Sequence, residues 1–597
     1  MANFERFPYG AWLVDFEFYC PEGHRPRPLC VVAKELHSGR TIRKWLGDTP
    51  PATCPFPIGP GALYVAHLAS AEIGCHLALG WGVPANVIDT FAEFRCLTSG
   101  MRGRDDAKIG ASLLRALQWF GLEGIDAAEK DDMRELAMRG GIYSQSEREA
   151  LIDYCETDVT ALSRLLPKMA PHLDLPRAMI RGRYMSAVAA VERQGIPIDV
   201  GRLEAFREGW EDIKAKLIEE TDRDFGVHDG QTFKASRWLA WCHKNGVPWP
   251  LLESGKPDLK RDTFREVGKS YPEVLPMHEL RTTLSELRLN SLAVGPDRRN
   301  RYLSGVFRSK TGRNQPSNSK GVFGPARWIR HLIKPEPGQA VAYVDWSQQE
   351  MGIGAVLSGD ESLMKLYRAS DPYLAFAFMA GAAPEGATKA THKAVRDQYK
   401  AALLGTQYGI GAEALARQIG GSEALGYRLL RQHRELFPRF WKWSDDQVDR
   451  AMLGYPLRSV FGWQLHTGYA ERPTTYRNWM IQSTGADMLR LAVIALVEHG
   501  LKVCAMVHDA ILIEAATDNI DEAAREAQRL MAAASRAVLK GFELGTDAET
   551  FGYPDGFTDE RGGRMFDLIS RLAGVAPTQQ GVAPTQRGVA PTQHRSI

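Results

Sequence analysis

Apolar and polar residues alternate through AWLVDFEFY near the amino terminus. That period of two predicts a β-strand, with Asp15 and Glu17 on the same face. The segment YCETDVTALSRLLPKM carries the longer period of a helix, and its Tyr154 and Asp158, four apart, share a face. Pro171 and Pro176 then mark a boundary. RYMSAVAAVERQGIPIDVGRLEAF is helical but broken at residues 195–197, and mixed helical text with Gly and Pro breaks runs on to about Asn300. QAVAYVD predicts a strand ending at Asp345, and long helices are expected over roughly 360–450. KVCAMVHDAILIEA, at 502–515, reads as a hairpin in which Asp509 stands where one strand turns and the next begins. Three near-identical heptads, GVAPTQQ, GVAPTQR and GVAPTQH, occupy 574–594; lacking the apolar content to bury a core, they are expected to be disordered.

Composition narrows this picture only in part. A chain of 597 residues, 44% hydrophobic and 24% charged, has room for two to four globular domains. A net charge of +2 excludes a polycation, so any nucleic-acid surface must be local. Residues 297–334 offer one, with ten Lys or Arg against a single Asp; the same stretch also reads as a solvated surface strip. Eight scattered cysteines without a CxxC pair argue against zinc and suit a reducing cytoplasm. MANFERFPYG has no signal-peptide pattern, and no apolar run is expected to reach membrane-spanning length.

Carboxylates held at the ends of adjacent strands suit a two-metal phosphoryl transfer, because hard divalent cations prefer oxygen ligands. Asp345 and Asp509 are placed that way, although either alone reads as a turn former. Between them His392, Arg396, Lys400, Leu404 and Tyr408 fall four apart and form one drifting stripe on a helix. Two cations on a stripe can hold a triphosphate, and an aromatic beyond them can meet a base pair.

These segments together resemble DNA polymerase family A. VDWSQQEMG (344–352) resembles motif A, usually DYSQIELR. RDQYKAALLGTQYG (396–409) is similar to motif B, R-x3-K-x7-YG, with its spacing intact. VHDA (507–510) resembles motif C, usually VHDE. NWMIQSTGAD (478–487) and TGR (311–313) are similar to two further elements of the family. The resemblance implies metal binding by Asp345 and Asp509. It implies incoming-nucleotide contacts by Arg396, Lys400, Leu404, Tyr408, Glu350 and Gln348, and primer-template contacts by Arg313, Asn478, Gln482 and His508. Donors such as Arg313 and Gln482 suit the minor groove, whose acceptors are shared among base pairs. Three departures stand out: Leu404 where Phe or Tyr is usual, Ala510 where an acid is usual, and Gly462-Trp463 where Gly-Arg is frequent. Two Asp ligands with phosphate oxygens and water are expected to suffice despite Ala510.

The pattern D-x-E followed by Y-x3-D resembles the proofreading exonuclease of the same family. Asp15, Glu17 and Asp158 are then implied as metal ligands and Tyr154 as a catalytic partner. Glu72, in AHLASAEIGC, stands where the family has a third acid, with Asp89 as the alternative donor and Asp89-Thr90 fixing the register. The implied fold is α/β and α+β, multidomain: an RNase H-like exonuclease domain (1–175), then a right-hand polymerase of thumb and primer-template strip (176–340), palm (341–380), fingers (381–450) and palm again (451–572), with the tail at 573–597. The implied activity is phage-type replicative DNA synthesis from deoxynucleoside triphosphates with 3′→5′ proofreading. Two Mg2+ per active site are implied, with Mn2+ as a substitute, and primer-template DNA as partner. The chain is expected to be a monomer in the (host) cytoplasm, with no membrane, no room for a 5′-nuclease, and helicase, primase or processivity partners undefined. Glu350, implied to block a ribose 2′-OH, argues against a single-subunit RNA polymerase; the intact Asp345, Asp509, Arg396 and Lys400 argue against an inert DNA-binding protein or a lone exonuclease.

Overall fold

A computed structural model describes residue 4 and residues 6–575, apart from 104–108, 125–126, 286–288, 325 and 468–471. The heptads from residue 576 onward lie outside the described residues.

The architecture is mixed α/β and multidomain. The amino-terminal sheet contains β1 (Ala11–Tyr19), β2 (Arg27–Glu35), β3 (Thr41–Trp45), β4 (Leu63–Ala66) and β5 (Val87–Asp89), in the order β3-β2-β1-β4-β5. β1 pairs antiparallel with β2 and parallel with β4. Its alternation has the expected result: Trp12, Val14 and Phe16 enter one apolar cluster and Ala11 and Leu13 another. Helix α1 (Ala69–Leu79) follows β4, and α2 (Thr90–Thr98) follows β5. The long α3 (Gln145–Met169) starts on a reciprocal Ser144–Glu147 capping box, which pins its register.

Helix α4 (Leu175–Gln194) begins at the proline-marked boundary, with Pro176 in its first turn, and ends at Gly195, as expected. It packs on α1 and β5 along one side. Gly182 permits this approach, since a Cβ there would lie 1.9 Å from the Val87 carbonyl oxygen.

The second sheet is built on β6 (Gln339–Trp346), followed by α5 (Gln349–Ser358). The expected long helices are instead six helices of 7 to 15 residues between 361 and 452. Pro372, Gly411, Gly420 and Pro438 sit at their boundaries and divide the helical text. Two of them matter below, α6 (Pro372–Met379) and α7 (Lys393–Gln407). Helix α8 (Pro473–Glu498) leads into β7 (Lys502–Val507) and β8 (Ala510–Ala516); α9 (Ile520–Val538) leads into β9 (Thr546–Gly552). The sheet order is β7-β8-β6-β9, antiparallel throughout.

At 26 residues α8 is long and apolar enough to cross a membrane by length and composition, which corrects the expectation that no run reaches that length. It lies mostly buried, against α4, α9 and β7, and encloses the ion pair Asp487–Arg490. It serves as the central helix of a packed core.

Candidate active sites

The first site lies where β6 meets the hairpin. A two-residue turn, His508-Asp509, joins β7 to β8, with His508 in the left-handed region at φ 58°. The backbone partner of Asp345 across β8 is Ala510, next to Asp509, and across β9 it is Asp547. Asp345 Oδ1 is shut off from solvent with no hydrogen-bond partner. Burial, then the charges of Asp509 and Asp547, push the Asp345 carboxyl up to about 7. Burial raises Asp509 as well, against the opposing pull of Arg313 and His508.

Glu350, in the first turn of α5, accepts hydrogen bonds from Arg313 (3.3 Å) and the Tyr408 hydroxyl. Gln482 also bonds the Tyr408 hydroxyl, and burial with the Glu350 charge keeps that phenol protonated. Asp345, Asp509, Arg313, Glu350, Tyr408, Gln482 and His508 thus share one neighbourhood. Gln348 holds a left-handed turn at the start of α5, and Asn478 lies one turn before Gln482 on α8. The Arg313 loop is buttressed by the departure from Gly-Arg: the buried indoles of Trp463 and Trp479 both donate to the Lys310 carbonyl, at 3.1 and 2.9 Å.

On α7, Tyr399, Ala402, Leu403 and Thr406 are buried, which leaves the Arg396–Lys400–Leu404–Tyr408 stripe on the opposite, open face. Arg396 donates to Asp371 at 2.5 Å and lies 4.9 Å from the Tyr373 ring centre; Lys400 lies 5.6 Å from the same ring. Asp371 and Asp547 were missed in the sequence. Asp371, directly before Pro372, caps α6 as an Asp-Pro pair often does, a signal that could have found it. The pairing that brings Asp547 to Asp345 is invisible in one dimension.

The second site lies on the amino-terminal sheet. Asp15 and Glu17 project toward α3, and β1 bulges between Glu17 and Phe18. On α3 the Tyr154 hydroxyl donates to Asp158 at 3.5 Å. Glu72 is 5% exposed in the first turn of α1; it accepts the Phe16 backbone N–H, and its Oε2 has no partner. Burial, then Asp15 and Glu17, and also Asp158, hold its carboxyl far above the usual range. Asp89 is differently engaged. It caps α2 and accepts four backbone N–H groups, from Leu68, Ala69, Phe91 and Ala92. A cavity of about 590 Å³ opens beside these acids, lined by Asp15, Asp158, His67, Phe91, Arg95 and Arg308 among others.

Among the described residues no group of three His, Cys, Asp or Glu side chains is gathered tightly enough to hold a metal ion. The donor chemistry nevertheless fits hard divalent cations: each cluster offers carboxylate oxygens alone, including one enclosed oxygen without a hydrogen-bond partner, Asp345 Oδ1 or Glu72 Oε2.

The basic strip is only partly an open surface. Arg299 pairs with Glu514 at 2.8 Å and Arg301 with Asp297 at 2.6 Å, both guanidinium groups largely buried. Arg298, Arg313, Lys320, Arg330 and Lys334 also have carboxylate partners. Arg299 and Arg301 therefore stitch the chain together rather than facing a duplex.

Residues 324–547 match the family model for DNA polymerase family A. The chain carries a family A DNA polymerase domain. It is 27% identical over 440 residues to DNA polymerase I of Chloroflexus aurantiacus, covering 66% of this chain and 46% of that protein. It is 28% identical over 226 residues to the DNA polymerase of Mycobacterium phage D29, covering 37% and 35%. The chain thus spans less than half the length of these relatives. Its fold matches the POL domain of Pol1 from M. smegmatis, solved with DNA primer-template and dNTP, at a TM-score of 0.70 and 18% identity over 92% of this chain and 96% of that one.

Proposed function

We propose that this protein synthesises DNA on a template from deoxynucleoside triphosphates and proofreads with a 3′→5′ exonuclease, as a monomeric, phage-type replicative enzyme in the cytoplasm of a host cell. The observation that carries the reading is the pairing of β6 with the β7–β8 hairpin, which sets Asp345 beside Asp509, with Tyr408 at the end of α7 bonded to Glu350 in the same neighbourhood. The second sheet with α8 and α9 would be the palm and α7 the nucleotide-facing helix of the fingers. The segment before residue 340 would provide the thumb, and the amino-terminal sheet an RNase H-like exonuclease.

Arg396 and Lys400 would hold the triphosphate, Arg396 exchanging Asp371 for phosphate. Tyr408 would meet the nascent base pair, while Glu350, clamped by Tyr408 and Arg313, closes the space a ribose 2′-OH would need. Arg313 and Gln482 would test pair shape from the minor groove. Asp345 and Asp509 would hold two Mg2+ or Mn2+, which supply Lewis acidity at the attacking and leaving oxygens. In the second site Asp15, Glu17, Asp158 and Glu72 would form the carboxylate cage, with the Tyr154 hydroxyl orienting the attacking water. Arg95 and Arg308 across the cavity suit a phosphodiester.

Primer extension tests the first activity: wild type extends, and Asp345→Asn or Asp509→Asn does not, while DNA binding survives because most affinity comes from backbone phosphates. A mismatched primer incubated with Mg2+ and no nucleotides tests the second. Degradation by wild type and not by Asp15→Ala is expected; an intact primer in both removes the exonuclease from the reading.

A further inference from the structure

We infer that Asp547 supplies the third carboxylate of the polymerizing site, the one that Ala510 lacks. This rests on the polymerase reading above. Asp345 lies on β6 with a neighbour on each side, Ala510 on β8 and Asp547 on β9, all three in direct cross-strand register. Directly paired residues in an antiparallel sheet point to the same face with Cβ atoms about 5 Å apart. A carboxylate at 547 is therefore the mirror image, across Asp345, of one at 510. Ala510 is only 1% exposed and carries no donor, whereas Asp547 is exposed.

Asp547 is also held in readiness. The Ser347 hydroxyl donates to its Oδ2 at 2.6 Å, and the Ser347 backbone N–H is tied to the Gly545 carbonyl at 2.9 Å. Ser347 belongs to the same motif as Asp345, so one loop fixes both acids. A second observation points to a cation between them: Asp345 Oδ1 is enclosed with no hydrogen-bond partner, while Asp509 and Asp547 add negative charge around it. Like charges so placed repel unless a cation offsets them.

The test uses the full chain bound to a dideoxy-terminated primer-template and the matching dNTP, with Mn2+ binding read by electron paramagnetic resonance and extension measured separately on an ordinary primer. Asp547→Asn keeps an acceptor for Ser347 but loses the charge. It is expected to weaken Mn2+ binding by about tenfold or more and to slow extension in parallel. Ala510→Glu in the Asp547→Asn background, which returns a carboxylate on the other side of Asp345, is expected to restore both. Asp547→Asn binding Mn2+ and extending like wild type overturns the inference, as does a folded double variant that regains neither property. A wild type that neither binds Mn2+ nor extends overturns the polymerase reading itself.

Discussion

Two carboxylates in the amino-terminal sheet show how neighbours divide roles between similar side chains. Asp89 accepts four backbone N–H groups and holds the start of α2, which consumes its lone pairs. Glu72 is buried among Asp15, Glu17 and Asp158 with an oxygen to spare. Asp89→Ala should therefore lower thermal stability by roughly 1–3 kcal/mol through the lost cap and orphaned donors. Glu72→Ala should leave stability unchanged or raise it, because it removes a buried carboxyl crowded by Asp15, Glu17 and Asp158, yet abolish 3′-end degradation. Calorimetry beside a nuclease assay separates the two, and the assignment fails if Glu72→Ala degrades primers normally. Glu350 permits a similar argument. Its carboxylate anchors both Arg313 and Tyr408, so Glu350→Ala should admit ribonucleotides at least about tenfold more readily; single-nucleotide incorporation of ribo- against deoxynucleotides checks it, and unchanged discrimination counts against the clamp. Asp15, Glu17, Tyr154 and Asp158 were legible as candidates from the D-x-E and Y-x3-D spacing, which fixes the faces of a strand and a helix, and Glu72, Asp89 and Glu350 from the family resemblance. The choice between Glu72 and Asp89 was not, because it depends on which backbone groups turn toward each acid.

At the scale of elements, period and punctuation placed several of the elements that build the two sites. The alternation of β1, the break at residues 195–197 and the hairpin around Asp509 all appear where the pattern puts them. Charge clustering was the poorer guide. Ten cations in 297–334 suggested a duplex-binding strip, but a run of like charge does not reveal acids that fold back onto it from Glu22, Asp199, Glu514 and Asp559. The consequence can be measured. Arg299→Ala leaves the buried Glu514 without its counter-charge and with the Gln194 amide as remaining donor, which should cost about 3 kcal/mol without altering the salt dependence of DNA binding. Arg308 is exposed and lines the amino-terminal cavity, so Arg308→Ala should spare stability and weaken binding of single-stranded 3′ ends. Denaturant melts and salt titrations of the two variants settle the matter; a flattened salt slope in Arg299→Ala would return that residue to the nucleic-acid surface.

Across the whole molecule, the two candidate sites belong to one packed body. Trp12, Tyr64 and Ile73 near the first sheet share a continuous apolar cluster with Met488 of α8 and Ile511 of the second sheet. Helix α4 carries that continuity, with α1 and β5 on one side and α8 and β7 on the other. Its Arg181 makes a bidentate pair with Glu93 of α2, at 2.5 and 2.7 Å, both side chains under 10% exposed, and reaches the Phe461 carbonyl at 3.4 Å. Arg95 adds bonds to the Phe307 and Arg308 carbonyls. Shared apolar packing of this kind makes separate unfolding of the halves costly, so their unfolding is expected to be coupled. Arg181→Ala should strand Glu93 in the junction and destabilise the chain by about 3–5 kcal/mol. Extension and 3′-end degradation should then lose heat tolerance together, since both halves pack into the shared cluster. Replacing both partners by apolar residues, Arg181→Met with Glu93→Leu, removes the stranded charge and should recover most of the loss. Heat inactivation of the two activities, followed in parallel on wild type and both variants, reads this directly. Degradation that survives heating while extension is lost, in either variant, would show that the halves fold independently and that the junction is only a contact.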